Sequence, residues 1–410
     1  MDLFDIIAIL ISLSAIFSYL NFRYIKLPTT IGLMLFSLIL SLLLIVLGQL
    51  GFIIEDHARE LVGRIDFNKT LMHGMLSFLL FAGALHVNIN DLMEKKWEIG
   101  IFATLGVVIS TFIIGSIVYY VLQWIGLGIQ YIYCLLFGAL ISPTDPIAVL
   151  GILKKTDAPK SLVTKITGEA LFNDGIGVVV FITLYGIAFG GHGITAGDIA
   201  LLFAEETIGG IIFGLLTGWI AYRLLKSVDN YQVEILITLA LVTGGYALAS
   251  AMHLSGPIAT VIAGLLIGNQ GRRFAMSDRT REHLDTFWEL IDEILNAILF
   301  VLIGFEMLIL VFLRKYILEG LIAIPIMLLA RFISIAIPIL FLKIRREFSP
   351  HVIKIMTWSG LRGGISVALA LSLPVSTERN IILAMTYVVV VFSILVQGLT
   401  IQYLVQKRSE

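Results

Sequence analysis

Charged residues are scarce in this chain. Asp, Glu, Lys and Arg together make up 14% of its 410 residues, whereas hydrophobic residues make up 58%. A soluble protein would carry about a quarter charged residues. The composition therefore excludes an ordinary soluble domain and predicts an all-α polytopic protein embedded in a lipid bilayer.

Cysteine and any excess of positive charge are also missing. The single cysteine, Cys134, lies in an apolar run, so the sequence offers neither a disulfide framework nor a cysteine metal site. A net charge of −1 provides no basic field for nucleic acid. HExxH, GxSxG and Walker motifs are absent, and no Ser/His or paired-Asp protease arrangement stands out. We therefore expect neither an enzyme nor a cofactor.

Long apolar runs dominate the chain instead. A helix needs about 20 apolar residues to cross a bilayer. Runs between polar or Gly/Pro punctuation predict thirteen transmembrane helices in a single membrane unit, 1–410. The predicted spans are 4–22, 28–50, 71–89, 97–124, 131–153, 162–190, 198–225, 232–251, 256–270, 287–313, 317–343, 351–373 and 380–405.

The basic residues orient these spans. With thirteen helices, 20 of the 28 Lys and Arg residues fall in loops on one side of the membrane and 6 on the other. Cytoplasmic loops carry the excess of Lys and Arg. We therefore expect a multi-pass protein of the cell (inner) membrane, with its N-terminus outside and its C-terminus in the cytoplasm.

Two predicted spans carry helix-breaking residues at their centres. The fifth span contains SPTDP, where Pro143 and Pro146 remove backbone donors around Thr144 and Asp145. The twelfth contains SGLRGG, a run of glycines around Arg362 that favours a break. Irregular backbone at membrane depth is tolerated only inside protein or beside a water-filled cavity.

The two breaks lie seven spans apart, so their helices cross the membrane in opposite directions. Interrupted segments at corresponding positions of two inverted halves indicate a transporter's binding site. We expect inverted repeats at about 1–190 and 232–405, joined by the linker helix 198–225. The alternative is that these prolines and glycines serve helix packing alone.

Five charges lie deep in the predicted spans: Asp145, Glu169, Asp174, Arg331 and Arg362. Buried charges normally pair. Asp145 and Arg362 lie one at each break, where their charges would offset the dipoles of the half-helices. Glu169 would then pair with Arg331 on span 11. Asp292, Glu293 and Glu306 are treated as boundary residues of span 10.

Asp174 is left without a partner by this pairing. Desolvation disfavours the charged form of a buried carboxylate, so we expect Asp174 to be protonated until a cation replaces the proton. Proton and monovalent cation would then compete for one group, and the exchange would be electroneutral. Oxygen ligands for Na⁺ would come from Asp174, the Asn173 amide, Thr144 and Asp145, with the two aspartates as the metal ligands.

These motifs resemble a known family. SPTDP in span 5, GEALFNDG in span 6 and SGLRGG in span 12 are similar to the sodium/proton antiporters of the NhaP and NHE type, over essentially the whole chain. The resemblance implies an NhaA-type fold with two crossed, discontinuous helices, and a core part that includes 131–153, 162–190, 317–343 and 351–373. It further implies a homodimer that works by an elevator-like movement of the core.

The resemblance also implies roles for the residues. Asn173 and Asp174 occupy the positions where the electroneutral branch of the family has its Asn-Asp pair. Asp145 occupies the position of the family's aspartate on the broken helix. Glu169 and Arg331 match the family's interhelical ion pair, and Arg362 its second-break arginine. The implied function is electroneutral Na⁺/H⁺ exchange in pH homeostasis, with Li⁺ also accepted.

Two positions depart from the family. Some archaeal members use a hydroxyl one residue after the glutamate, where this chain has Ala170. Some use a carboxylate on span 3, where LSFLLFAGALHV offers none and His73 and His86 are the nearest titratable groups. These departures leave the selectivity between Na⁺, Li⁺ and K⁺ open, so a K⁺/H⁺ antiporter is an alternative. A Na⁺-coupled solute symporter is another, since related folds do this, and an inverted repeat disfavours a channel.

Overall fold

The computed structural model describes residues 3–50, 66–145, 149, 160–189, 196–310, 316–342 and 351–406. These residues are almost entirely helical and contain no β-strand, as a lipid environment requires of chains that must satisfy their own backbone hydrogen bonds. The helices are α1 (Leu3–Leu20), α2 (Thr29–Gln49), α3 (Leu76–Leu85), α4 (Ile89–Glu94), α5 (Lys96–Ala103), α6 (Leu105–Trp124), α7 (Tyr131–Ile141), α8 (Lys160–Phe189), α9 (Ala196–Leu225), α10 (Tyr231–Ala251), α11 (Gly256–Leu266), α12 (Asp278–Leu310), α13 (Ile317–Leu342), α14 (Val352–Trp358), α15 (Gly364–Leu371), α16 (Thr377–Phe392) and α17 (Gly398–Gln406). Helical turns at Phe67–Lys69 and Arg272–Phe274 and π-helical turns at Asn21–Ile25, Thr70–Met75, Ile267–Gly271 and Ser393–Gln397 complete them.

Several of these helices are long and apolar enough to cross a bilayer, so the prediction of an all-α multi-pass membrane protein is confirmed. In the described residues eight stretches meet that criterion: Asp5–Ile25, Thr29–Gln49, Lys96–Trp124, Lys160–Phe189, Leu201–Leu225, Tyr231–Ala251, Ile317–Leu342 and Thr377–Leu404. The other five predicted spans fall on α3, α7, α11, α12 and the α14–α15 pair, which are shorter, more polar or interrupted. The total of thirteen stays a prediction.

The helices that carry the predicted site pack on one another. Helix α6 packs on α7 and α13, α8 on α7 and α5, and α15 on α16 and α7. Small residues allow the closest of these approaches: a Cβ atom on Gly138 of α7 would collide with the backbone carbonyl of Thr111 on α6. This packing brings the interrupted ends of α7 and α14 towards α8 and α13. Elsewhere α9 and α10 pack on α11, which lies against α3, and α2 packs on α12.

Charge is buried more widely than the five deep residues suggested. Glu306, which the sequence placed at a membrane boundary, is 3% exposed and therefore covered by protein. The reason is tertiary: the Tyr387 hydroxyl on α16 donates to the Ile303 carbonyl at 3.0 Å and brings α16 over the end of α12. Glu98 and Lys165 also form a buried ion pair of 3.1 Å between α5 and α8.

Candidate functional site

The first break begins where the prolines predict it. Helix α7 ends at Ile141, and the next four residues, 142–145, are not helical. The Ser142 hydroxyl donates to the Gly138 carbonyl at 2.6 Å, which is ordinary helix back-bonding. The continuation of the predicted span, including Pro146, lies outside the described residues apart from Val149.

The side-chain amide of Asn173 on α8 holds the first break in position by two hydrogen bonds. The Asn173 Nδ2 group donates to the Thr144 hydroxyl at 2.8 Å, and the Thr144 N–H donates to Asn173 Oδ1 at 3.3 Å. Both side chains are buried. The amide therefore pairs a backbone donor that the break has freed from helical bonding, and one lone pair of Oδ1 remains for another partner.

The second break lies directly against the first. Helix α14 ends at Trp358 and α15 begins at Gly364. Arg362 Nη1 donates to the Pro143 carbonyl at 3.0 Å, and the Asp145 N–H donates to the Leu361 carbonyl at 2.8 Å. The two breaks are thus joined in both directions, and the guanidinium faces the carbonyl end of the α7 half-helix, where the helix dipole is negative.

Glu169 and Arg331 form a bidentate ion pair between α8 and α13. Arg331 Nη2 donates to Glu169 Oε2 at 3.0 Å, and Nη1 donates to Oε1. The side chains are 2% and 6% exposed. A Cβ atom on Gly360 would lie 2.7 Å from Arg331 Nε, so the pair also packs against the second break.

Asp174 lies just beyond this pair on α8 and is 6% exposed. Among the residues that the structure describes, its carboxylate accepts no hydrogen bond and makes no direct ion pair. It interacts electrostatically with Asp145 and Arg362. A buried carboxylate without a direct partner is costly, and at a site of this kind such a group indicates a bound ion or proton.

The structure therefore brings all seven predicted site residues to the meeting point of the two breaks. The five charged members sum to −1 when ionised. Ala170 is buried but offers no ligand atom, His86 is exposed at the end of α3, and the His73 side chain lies outside those described. The sequence missed the backbone partners Pro143 and Leu361, because no spacing rule relates residues more than 200 positions apart.

Gly363 offers a test of how tightly the two breaks fit. A Cβ atom at this position would overlap the Asp145 carboxylate. We expect Gly363→Ala to lower, about tenfold or more, the rate of the Na⁺/H⁺ exchange that the family resemblance implies, since overpacking costs about 1–3 kcal/mol. The measurement is the transport rate of purified variants in liposomes.

Gly83→Ala is the matched control for this substitution. Its Cβ atom would meet nothing closer than Leu171 Cδ1 at 3.8 Å, so we expect an unchanged rate. Equal rates for Gly363→Ala and the wild type would show that Asp145 does not need the space that Gly363 leaves.

The chain is similar to known proteins over nearly its whole length. A profile of the transmembrane sodium/hydrogen exchanger family matches residues 9–407. The chain is 51% identical over 408 residues to the Na⁺/H⁺ antiporter NhaP of Pseudomonas aeruginosa, covering 98% of this chain and 96% of that protein. It is 34% identical to the Na⁺/H⁺ antiporter NhaH of Halobacillus dabanensis, covering 94% and 93%.

A solved structure shares the fold. The sodium proton antiporter MjNhaP1 from Methanocaldococcus jannaschii superimposes with a TM-score of 0.77 over 99% of both chains, at 22% sequence identity. At that identity the likeness concerns the arrangement of the helices.

Proposed function

The chain belongs to the sodium/hydrogen exchanger family, and on that premise we propose that it exchanges one Na⁺ for one proton across the cell membrane. Li⁺ is proposed as a second substrate. The relatives named above are Na⁺/H⁺ antiporters, and one of them matches this chain over nearly its whole length.

One observation carries the proposal: Asp174 is a buried carboxylate with no direct partner among the described residues, beside two interrupted helices. In its protonated form it is neutral and stable in the protein interior. A Na⁺ ion that replaces the proton leaves the net charge of the site unchanged, because both ions carry one positive charge. The two ions therefore exclude each other at one group, which is sufficient for coupled exchange by alternating access.

The proposed Na⁺ ligands lie around Asp174. Asp145 supplies a second carboxylate, and its approach is fixed by the backbone bond to Leu361. The Thr144 hydroxyl and the remaining lone pair of Asn173 Oδ1 are oxygen donors of the kind that hard cations prefer. Because the Asn173 amide is occupied by Thr144, its main contribution is to hold the first break against α8.

Charge balance supports a one-to-one exchange. The Glu169–Arg331 pair is neutral, and Arg362 offsets one of the two remaining carboxylates, Asp145 and Asp174. One negative charge is left over, and it takes either one proton or one monovalent cation. The loaded site is therefore neutral in both forms, and its movement transfers no net charge.

The finer architecture is part of the same proposal. We assign thirteen membrane helices in an NhaA-type fold, with inverted repeats at about 1–190 and 232–405 and the linker 198–225. The core that moves would include 131–153, 162–190, 317–343 and 351–373. The unit would be a homodimer in the inner membrane, with its N-terminus outside and its C-terminus in the cytoplasm.

Proton movement in proteoliposomes tests the function and its stoichiometry. An inward Na⁺ gradient is expected to drive proton efflux from vesicles that contain the purified protein, at the same rate with and without valinomycin and K⁺ to clamp the voltage. Strong acceleration by the clamp would show that net charge moves. Exchange with K⁺ but not with Na⁺ or Li⁺ would reassign the substrate.

A further inference from the structure

Two buried, hydrogen-bonded side chains in the π-helical turn between α16 and α17 span the second break. In a continuous helix the Arg362 N–H would donate to the Trp358 carbonyl, four residues earlier. The break separates these two groups, because α14 ends at Trp358. Two side chains fill the gap. The Arg362 N–H donates to Ser393 Oγ at 2.9 Å, and the Trp358 carbonyl accepts from Gln397 Nε2 at 3.1 Å.

Ser393 and Gln397 also bond to each other. The Ser393 hydroxyl donates to Gln397 Oε1 at 2.8 Å, so one unbroken series of hydrogen bonds runs from the Arg362 N–H to the Trp358 carbonyl. We call these two side chains the Ser393–Gln397 bridge. They begin and end a π-helical turn, a local widening that is frequent at functional sites. Ser393, Gln397 and Arg362 are all 0% exposed.

The bridge acts on the part of the chain that touches the ion site. The residues it spans include Leu361, whose carbonyl accepts from the Asp145 N–H, and Arg362, whose guanidinium donates to the Pro143 carbonyl. A shift of this segment would disturb its backbone hydrogen bond to Asp145 and move the positive charge that interacts electrostatically with Asp174.

We propose that Ser393 and Gln397 are positioning residues for the cation site, holding the opened turn Trp358–Arg362 in the geometry that binds Na⁺. The inference rests on the proposed function. It assigns to the π-helical turn between α16 and α17 a role in ion affinity without contact with the ion.

The expected signature is a loss of apparent affinity with little change in maximal rate. Without the bridge the second break also adopts arrangements that do not bind Na⁺. The apparent affinity for Na⁺ then falls in proportion to the fraction of molecules that remain competent to bind it. A saturating Na⁺ concentration restores the competent arrangement. We expect Gln397→Met and Ser393→Ala each to raise the apparent KM for Na⁺ about tenfold, the effect of one buried hydrogen bond on an equilibrium, with maximal rates within about threefold of wild type.

A double variant tests whether the two residues act as one unit. Either substitution interrupts the same series of bonds, so Ser393→Ala/Gln397→Met is expected to raise KM no further than the single variants. Thr386→Val is the matched control: Thr386 is a buried hydroxyl on α16 that donates only within its own helix, to the Ile382 carbonyl at 2.7 Å. We expect its KM to equal that of wild type.

The measurement is Na⁺-dependent proton movement at several Na⁺ concentrations, in liposomes that contain equal amounts of folded protein. An unchanged KM in Ser393→Ala, which removes a single oxygen atom and is the variant most compatible with folding, would overturn the proposal. Additive KM effects in the double variant would overturn it as well. Failure of the wild type to exchange Na⁺, Li⁺ or K⁺ would instead overturn the proposed function.

Discussion

Asp174→Asn is expected to abolish Na⁺-driven proton movement, to less than about one hundredth of the wild-type rate, because an amide of the same shape neither titrates nor carries the charge that attracts a cation. The side chain is buried beside both breaks and has no direct partner among the described residues, so its loss leaves no neighbour uncompensated. The protein is therefore expected to fold and to lose transport alone. The measurement is the proton flux in liposomes, with folding checked by size-exclusion chromatography.

The control for this variant is Asp91→Asn. Asp91 is a partly exposed carboxylate on α4 that pairs with Lys160 at 2.8 Å, and surface pairs of this kind contribute about 0–1 kcal/mol. We expect its transport rate to match that of wild type. If Asp174→Asn still exchanged Na⁺ for protons, the shared site would not be Asp174, and Asp145 would be the next residue to test.

Arg331→Met is expected to have the largest effect on stability. It leaves the Glu169 carboxylate, 2% exposed, without its bidentate partner. Breaking a buried ion pair from one side typically costs about 3–5 kcal/mol. We expect a large fall in the thermal unfolding temperature of the purified protein in detergent, together with a loss of transport, because the pair packs against the second break at Gly360.

A double variant separates buried charge from lost packing. Glu169→Gln/Arg331→Met removes both charges, so it is expected to regain most of the unfolding temperature that Arg331→Met loses. A double variant as unstable as the single one would mean that the uncompensated charge is not the cause. Lys160→Met is the surface control, because the Lys160 side chain is 79% exposed, and its unfolding temperature is expected to stay within experimental error.

The breaks were the most predictable part of the structure. Pro143 lacks a backbone donor, and the glycines around Arg362 remove the preference for a continued helix, so both interruptions can be read from local chemistry. The pairing of Glu169 with Arg331 followed from counting deep charges, because an isolated charge inside an apolar protein is too costly to persist. The same count of deep charges left one carboxylate, Asp174, without an opposite charge to pair with.

Other features were not readable from the sequence. Glu306 was placed at a membrane boundary from its position along span 10, and that position gave no sign of the neighbours that bury it. Asn173 was predicted as an ion ligand, and the sequence did not show that its amide also holds Thr144. Ser393 and Gln397 carried no signal, because both are common polar residues in an apolar run.

The sequence by itself determined the class of molecule, the places where helices break and the carboxylate, Asp174, that has no direct partner among the described residues. These features follow from the free-energy cost of burying a charge or of leaving a backbone group unpaired. That cost depends on the type of residue, so it can be read without knowing the residue's neighbours in the fold. Only the tertiary structure decided which freed backbone group meets which partner: Arg362 with Pro143, Asp145 with Leu361, and the opened turn with Gln397. A hydrogen bond requires atoms to lie about 3 Å apart, and for residues far apart in the chain that distance is set by helix packing.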